Sequence, residues 1–225
     1  MQEYVIIVAG GIGTRMKADR PKQFIEINGV PIIVKTIQCF VSYNPQIKVI
    51  ISVHKNYKAY LEGLIEKHGF QNYSIQITIG GETRFESVKN GLELITQEQS
   101  IVGIHDAARP FVSNETIVNC YKIAAEKGNA IPSISVNDSM RKISNNINVA
   151  VNRNEYKIIQ TPQCFISHKI KQAFLQPYSS AFTDDATVLE HTGEKINLVE
   201  GNAENIKITS PHDLLIAKTL LHDQR

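Results

Sequence analysis

Five short runs rich in β-branched residues, at 4–8, 48–53, 74–79, 101–105 and 130–136, take turns with segments whose apolar residues recur at helical spacing. Ile33, Ile37, Phe40 and Val41 form one such stripe, and Tyr57, Leu61, Leu64 and Ile65 a second. Val88, Leu92 and Ile95 form a third, and Ile117, Tyr121 and Ala124 a fourth. A short continuous apolar run is a strand buried on both faces, and a one-sided stripe is a helix that covers it. Strand and helix in alternation imply parallel strands joined by right-handed crossovers. The predicted fold is therefore α/β, a single-domain, doubly wound, mostly parallel sheet with helices on both faces. Ligands of such sheets bind beyond the carboxyl ends of the strands, which selects residues 10–15, 80–84 and 106–110.

The pattern breaks over 137–157, where 140–143 and 147–151 flank Ser144-Asn145-Asn146. Two short strands around an Asn-rich turn predict a β-hairpin arm, which either packs on another subunit or stays a bare surface hairpin. No composition break divides the 225 residues, so one domain over 1–225 is expected, with 137–157 as its arm. The 24 basic and 22 acidic residues are spread along the chain and net only +2, which argues against nucleic acid and for a small ligand. Cys39, Cys120 and Cys164 are far apart and have no metal-site spacing, so they read as reduced, buried thiols. The first apolar run, 4–9, is too short for a signal peptide or a membrane span, and a cytoplasmic protein is expected. Because the chain closes soon after a predicted helix at 213–221, a single activity is expected as well.

Ala9-Gly10-Gly11-Ile12-Gly13-Thr14-Arg15 follows the first strand, with Pro21-Lys22-Gln23 just beyond. Glycines there can aim successive N–H groups at a phosphate, and Arg15 and Lys22 add full charge; the same turn also serves plain strand-to-helix packing. The Gly-Lys-Ser/Thr ending of a P-loop and the third glycine of a dinucleotide fingerprint are both missing. At the tip of the fourth strand, Asp106 offers a hard carboxylate for Mg²⁺, or else an ion pair with Arg109 or a cap for the next turn. His105 reads as a packed, hydrogen-bonded residue. Gly80-Gly81-Glu82-Thr83-Arg84 with Ser87 can read the edge of a base or simply form a turn with Thr83 as helix cap. Lys207, a lone lysine in a predicted strand before a helix near Pro211, either reaches the same sheet edge or is a surface charge.

Taken together, Ala9 to Arg15, Pro21-Lys-Gln-Phe24, His105-Asp-Ala-Ala-Arg-Pro110, Gln160-Thr-Pro-Gln-Cys-Phe165, Thr183-Asp-Asp185 and Asn205-Ile-Lys-Ile-Thr209 resemble the 2-C-methyl-D-erythritol 4-phosphate cytidylyltransferase family over nearly the whole chain. D-ribitol-5-phosphate cytidylyltransferases share several of these segments. Asp106-Ala107-Ala108-Arg109 and Asn152-Arg153-Asn154 lean toward the erythritol enzymes. Gly10 in place of the usual alanine leans toward the ribitol ones, and Ser139 stands where the arm usually has threonine. A non-catalytic CTP-binding regulatory module is the alternative from another class.

The resemblance implies a Rossmann-like variant shared with nucleotide-diphospho-sugar transferases, with CTP and methylerythritol phosphate as substrates and Mg²⁺ as cofactor. It implies that Ala9, Gly10, Gly11, Gly13, Arg15 and Lys22 hold the CTP phosphates and that Gly81, Glu82 and Ser87 read cytosine. Asp106 is implied as metal ligand, and Arg15, Lys22 and Lys207 as the catalytic cations. Asp106, Arg109 and Thr183 are implied on the substrate side. Ser139 and Arg153 of the arm are implied to contact the substrate phosphate in the other subunit of a homodimer.

Overall fold

The computed structural model describes residues 1–11, 20–145 and 147–222. β1 (Gln2–Ala9) runs through the middle of the main sheet and buries both faces, Val5 and Ile7 into one core cluster and Tyr4 and Ile6 into the other. A small hairpin, β2 (Glu26–Ile27) and β3 (Val30–Pro31), leads into α1 (Ile32–Tyr43). There follow β4 (Lys48–Val53), α2 (Lys58–Lys67), β5 (Ile75–Ile79), α3 (Arg84–Glu93), β6 (Ser100–Asp106) and α4 (Asn114–Lys127). The second half adds β7 (Asn129–Ser135), β8 (Met140–Ser144), β9 (Ile147–Val151), β10 (Lys157–Ile159) and β11 (Gln163–Ile166). It closes with α5 (Ser167–Ala173), α6 (Asp185–Glu190), β12 (Leu198–Glu200) and α7 (Pro211–His222).

The main sheet runs β10-β7-β11-β6-β1-β4-β5, with β12 paired to β7. β6, β1, β4 and β5 are mutually parallel, and β1 sits between β6 and β4. The chain builds from β1 through α1 to β4 and β5 on one side and returns through α3 to β6 on the other, so the winding reverses at β1 and a crevice opens at its carboxyl end. Ile33, Phe40, Leu61, Ile117 and Tyr121 cover one face of the sheet. Phe85, Val88, Leu92, Ile170 and Val188 cover the other. Each fully buried side chain of this size contributes about 1.5–3 kcal/mol, so the layers are fixed by the stripes read in the sequence.

Several segments differ from the sequence reading, among them β10 and β12, which add to the sheet at β7, and two that bear on the site. β11 enters antiparallel between β6 and β7, a strand the periodicity does not announce. The stretch around Lys207 is irregular backbone, not a strand. Two hydrogen bonds tie it to the loop after β6: Ile208 N donates to Ala108 O at 2.9 Å and Arg109 Nη1 to Asn205 O at 2.7 Å.

β8 and β9 pair only with each other, as the expected arm. Ile143, Ile147 and Val149 stand 77%, 67% and 51% exposed on it. Among the described residues no helix is long and apolar enough to cross a membrane, and the three cysteines are free.

Candidate active site

The crevice beyond β1 is floored by Ala9, Gly10 and Gly11 and closed by Lys22 and Gln23 on one side. The sequence Pro21-Lys-Gln-Phe explains how. Phe24 is buried against the rings of Tyr57 and Tyr60, fixing a short 3-10 turn at Lys22–Phe24. Gln23 then points inward, its Nε2 donating to Ala9 O at 2.6 Å and Gly11 O at 3.1 Å, so it braces the start of the glycine loop. Lys22 lines the cleft beside it.

Gly81, Glu82, Thr83, Arg84 and Ser87 form the opposite wall. Thr83 caps α3 in a reciprocal box with Glu86, as its spacing predicts. Ser87 Oγ accepts from Gly81 N at 3.2 Å and donates to Thr83 O at 2.9 Å. A side chain at Gly81 would put its Cβ 2.2 Å from Glu86 Cβ, so only glycine allows the turn to close this tightly. This wall is thus a rigid turn and cap, as the plainer of the two sequence readings expects.

Asp106, at the tip of β6, lies at the centre of the cleft and is 8% exposed. Lys207 Nζ is 2.9 Å and Arg109 Nε 3.3 Å from its Oδ2, while Arg84 Nε is 3.7 Å from its Oδ1. Burial alone would push this carboxyl up, but Lys207, Arg84 and Arg109 outweigh it and hold Asp106 well below the usual carboxylate range. Arg84 in turn is bidentate to Asp185, Nη1 to Oδ1 at 2.8 Å and Nη2 to Oδ2 at 2.6 Å, and Asp185 is wholly buried. Despite its burial, that pairing keeps the guanidinium charged.

A hydrogen-bond chain fixes the loop behind Asp106. Asp106 N donates to Thr161 Oγ1 at 3.1 Å, Thr161 Oγ1 lies 3.1 Å from His105 Nδ1, and His105 Nε2 lies 3.0 Å from Arg109 O. A carbonyl only accepts, so Nε2 carries a proton; with the ring neutral at pH 7, Nδ1 then accepts from the threonine hydroxyl. Burial pushes its pKa from 6.5 down to about 4. The unfolded chain takes up a proton through the range near 6.5 that the folded chain refuses until near 4. Stability should therefore fall as pH drops across this window, by about 3 kcal/mol in full. Urea unfolding of the wild type and His105→Gln at pH 7 and pH 4.5 checks this: the wild type should lose more stability than the variant, and equal losses would reject the assignment.

The cleft gathers Ala9, Gly10, Gly11, Lys22, Gly81, Glu82, Ser87, Asp106 and Lys207, as the sequence reading expects. Gly13 and Arg15 lie outside the described residues. Arg109 does not line the cleft; its guanidinium is spent on Asp106 and Asn205 O, so it braces the site. Thr183 lines an adjoining hollow with Phe85, Phe174 and Phe182, which meets the cleft at Thr83 and Arg84. Ser139 and Arg153 lie on the exposed arm, with Arg153 bonded to Asn137 O, and neither lines the cleft of its own chain. Arg84, Asp185 and Gln23 lie within motifs the sequence analysis quotes, but it assigns them no role. One signal was there: an arginine opening a helix opposes the helix dipole and needs a carboxylate from elsewhere.

Among the described residues lining the cleft there is no Cys or His, and its one serine is committed to the turn. Lysines and arginines around the ionised carboxylate of Asp106 suit the binding and charge compensation of phosphates.

The family described as 2-C-methyl-D-erythritol 4-phosphate cytidylyltransferase matches residues 4–223. A protein of that name from Phocaeicola vulgatus is 45% identical over 221 residues, covering 98% of this chain and 100% of its own. The crystal structure of 4-diphosphocytidyl-2C-methyl-D-erythritol synthase from Anaerococcus prevotii superposes with a TM-score of 0.85 at 26% identity, over 100% of this chain and 96% of that one. That of the cytidylyltransferase from Francisella tularensis gives 0.78 at 32% identity, over 97% and 99%.

Proposed function

The chain belongs to the 2-C-methyl-D-erythritol 4-phosphate cytidylyltransferase family, and from that premise we propose how its cleft carries out the reaction. The enzyme is a CTP-dependent nucleotidyltransferase that converts CTP and 2-C-methyl-D-erythritol 4-phosphate to 4-diphosphocytidyl-2-C-methyl-D-erythritol and pyrophosphate, a step of non-mevalonate isoprenoid synthesis. Ribitol 5-phosphate as substrate and a non-catalytic role are both disfavoured by these matches. The observation that carries the mechanistic reading is the cluster of Lys207 and Asp106 facing Lys22 across a glycine-floored crevice at the switch point of the sheet.

A phosphate oxygen of the substrate attacks the α-phosphorus of CTP, forming a new P–O bond as the bond to the bridging oxygen of pyrophosphate breaks. Two anions must approach, and negative charge grows on the equatorial and leaving oxygens. Lys22 and Arg15 hold the triphosphate, the backbone of residues 9–11 cradles it, and Lys207 turns to the α-phosphate. Gly81, Glu82 and Ser87 read the base.

A divalent cation fits the donor set at one point. No group of three His, Cys, Asp or Glu among the described residues could cage a metal, but Mg²⁺ bound to a triphosphate needs only one or two protein carboxylates. Asp106 stays ionised, and the cation the structure places near its Oδ1 is Arg84, 3.7 Å away. Asp106 would hold Mg²⁺, which when bound would supply charge withdrawal from the phosphate oxygens. Asp106→Asn should raise the Mg²⁺ concentration for half-maximal activity by about 10-fold or more, and an unchanged metal titration would reject this role.

The arm supplies the remaining contacts in a homodimer. Its exposed Ile143, Ile147 and Val149 lie on a two-stranded hairpin that gains stability when covered, and Ser139 and Arg153 of one protomer reach the substrate phosphate in its partner's cleft. Mixing inactive Lys22→Ala and Arg153→Ala chains should then restore about a quarter of wild-type activity, because half the dimers are mixed and each has one intact site. No recovery after confirmed subunit exchange would refute the shared site. The free thiols suit a reducing compartment, which supports a cytoplasmic location as part of this proposal.

The activity itself is tested by pyrophosphate release from CTP and Mg²⁺ with methylerythritol 4-phosphate and, in parallel, D-ribitol 5-phosphate. Release with the first alone is expected. Release with the second alone would move the enzyme to polyol activation, and release with neither would favour the regulatory reading.

A further inference from the structure

We propose that Arg84 is a positioning residue of this reaction: clamped by the buried Asp185, it fixes the carboxylate of Asp106 during the step in which Lys207 lets go of it. The inference rests on the reading of the cleft given above.

Asp106 is held from two sides. Lys207 and Arg109 stand at Oδ2, and Arg84 stands at Oδ1. Of the three cations Lys207 is the most exposed, with 40% of its side chain open to solvent, against 30% for Arg84 and 12% for Arg109. It is also the one that must turn to the α-phosphate. Once it leaves, the orientation of Asp106 depends on the two arginines. Arg109 is tied down by Asn205 O. Arg84 is tied down more firmly, because both terminal nitrogens are bonded to Asp185 and the planar fork leaves Nε as the edge toward Asp106.

The clamp is built on rigid elements. Asp185 is the first residue of α6, whose cap is Asp184. Gln163 of β11 receives Ala186 N on Oε1 and donates from Nε2 to Asp184, both at 2.8 Å. β11 pairs with β6, and Gln163 lies opposite Ile104, two residues before Asp106. The path from Asp185 back to Asp106 thus runs through sheet and helix, and the guanidinium bridges its open end. A side chain this constrained cannot follow the phosphates into the cleft, and its work is to keep its neighbour aligned.

The test replaces the pair as a unit, Arg84→Met with Asp185→Leu, because exchanging a buried ion pair for apolar groups is often neutral in stability. Thermal melting checks the fold, and Arg84→Lys, which keeps a cation on Asp185 but loses the fork, serves if the pair variant fails to fold. The replacement is combined with Asp106→Asn in a double-mutant cycle read on kcat/KM, on the Mg²⁺ titration and on CTP affinity by calorimetry. The expected result is a loss of about 10-fold or more in kcat/KM, with a matching rise in required Mg²⁺, and less than about a twofold further loss in the Asp106→Asn background. Equal losses in both backgrounds, or wild-type kinetics in a natively melting pair variant, would overturn the proposal. A wild type that releases no pyrophosphate from CTP and methylerythritol 4-phosphate would instead defeat the reading of the cleft. The cycle on CTP affinity would then decide the role of Arg84, with non-additivity supporting it and additivity rejecting it.

Discussion

Lys22→Ala is expected to lower turnover by about 100-fold or more while melting like the wild type. The rate falls because one full charge opposite the growing negative charge of the transition state is removed from a partly enclosed site, where fixed charges act more strongly than in water. The fold survives because the neighbours of Lys22 hold the turn: Phe24 is buried between two tyrosine rings, and Gln23 braces Ala9 and Gly11. The backbone carbonyl of Lys22 accepts from Ile25 N at 3.1 Å, a bond the variant keeps. Steady-state pyrophosphate release and a thermal melt check both halves. Turnover near wild type in a natively folded variant would remove Lys22 from the catalytic set.

Arg84→Ala should have the largest effect on stability. Asp185 is wholly buried and has Arg84 on both oxygens. Removing the arginine leaves an uncompensated charge in the core, which costs about 3–5 kcal/mol and, for a chain of this length, lowers Tm by roughly 10 °C. The pH dependence has a definite sign. An unpaired buried carboxyl has a folded pKa above its unfolded one, so the variant regains stability as pH falls through that raised value. The deficit relative to wild type should therefore shrink between pH 7 and pH 5, the reverse of the His105 effect. Melting curves at the two pH values test this; a variant that melts with the wild type at pH 7 would show that water already reaches Asp185.

The fold was legible wherever the signal was local. The run predicted at 48–53 is the strand Lys48–Val53, and the arm predicted around Ser144-Asn145-Asn146 has strands Met140–Ser144 and Ile147–Val151. Both follow from side-chain periodicity and turn chemistry, which act over a few residues. The glycine loop, the Pro-Lys-Gln segment and Asp106 were legible as a set, because each lies at the ligand edge that the alternation defines, whereas Lys207 joined them only through the family resemblance.

What the sequence left open depends on distance. β11 is four residues long and reads as a strand only once β6 and β7 flank it. Lys207 looks like a surface charge until the chain returns it to Asp106, 2.9 Å away. Arg84 and Asp185 are 101 positions apart, and either alone is an ordinary charged residue at the start of a helix. Periodicity records which face of an element is buried. Only the closed sheet decides which strand and helix ends share a crevice, and a charge takes its meaning from that company, because Coulomb attraction and desolvation depend on separations of a few ångströms that no local pattern encodes.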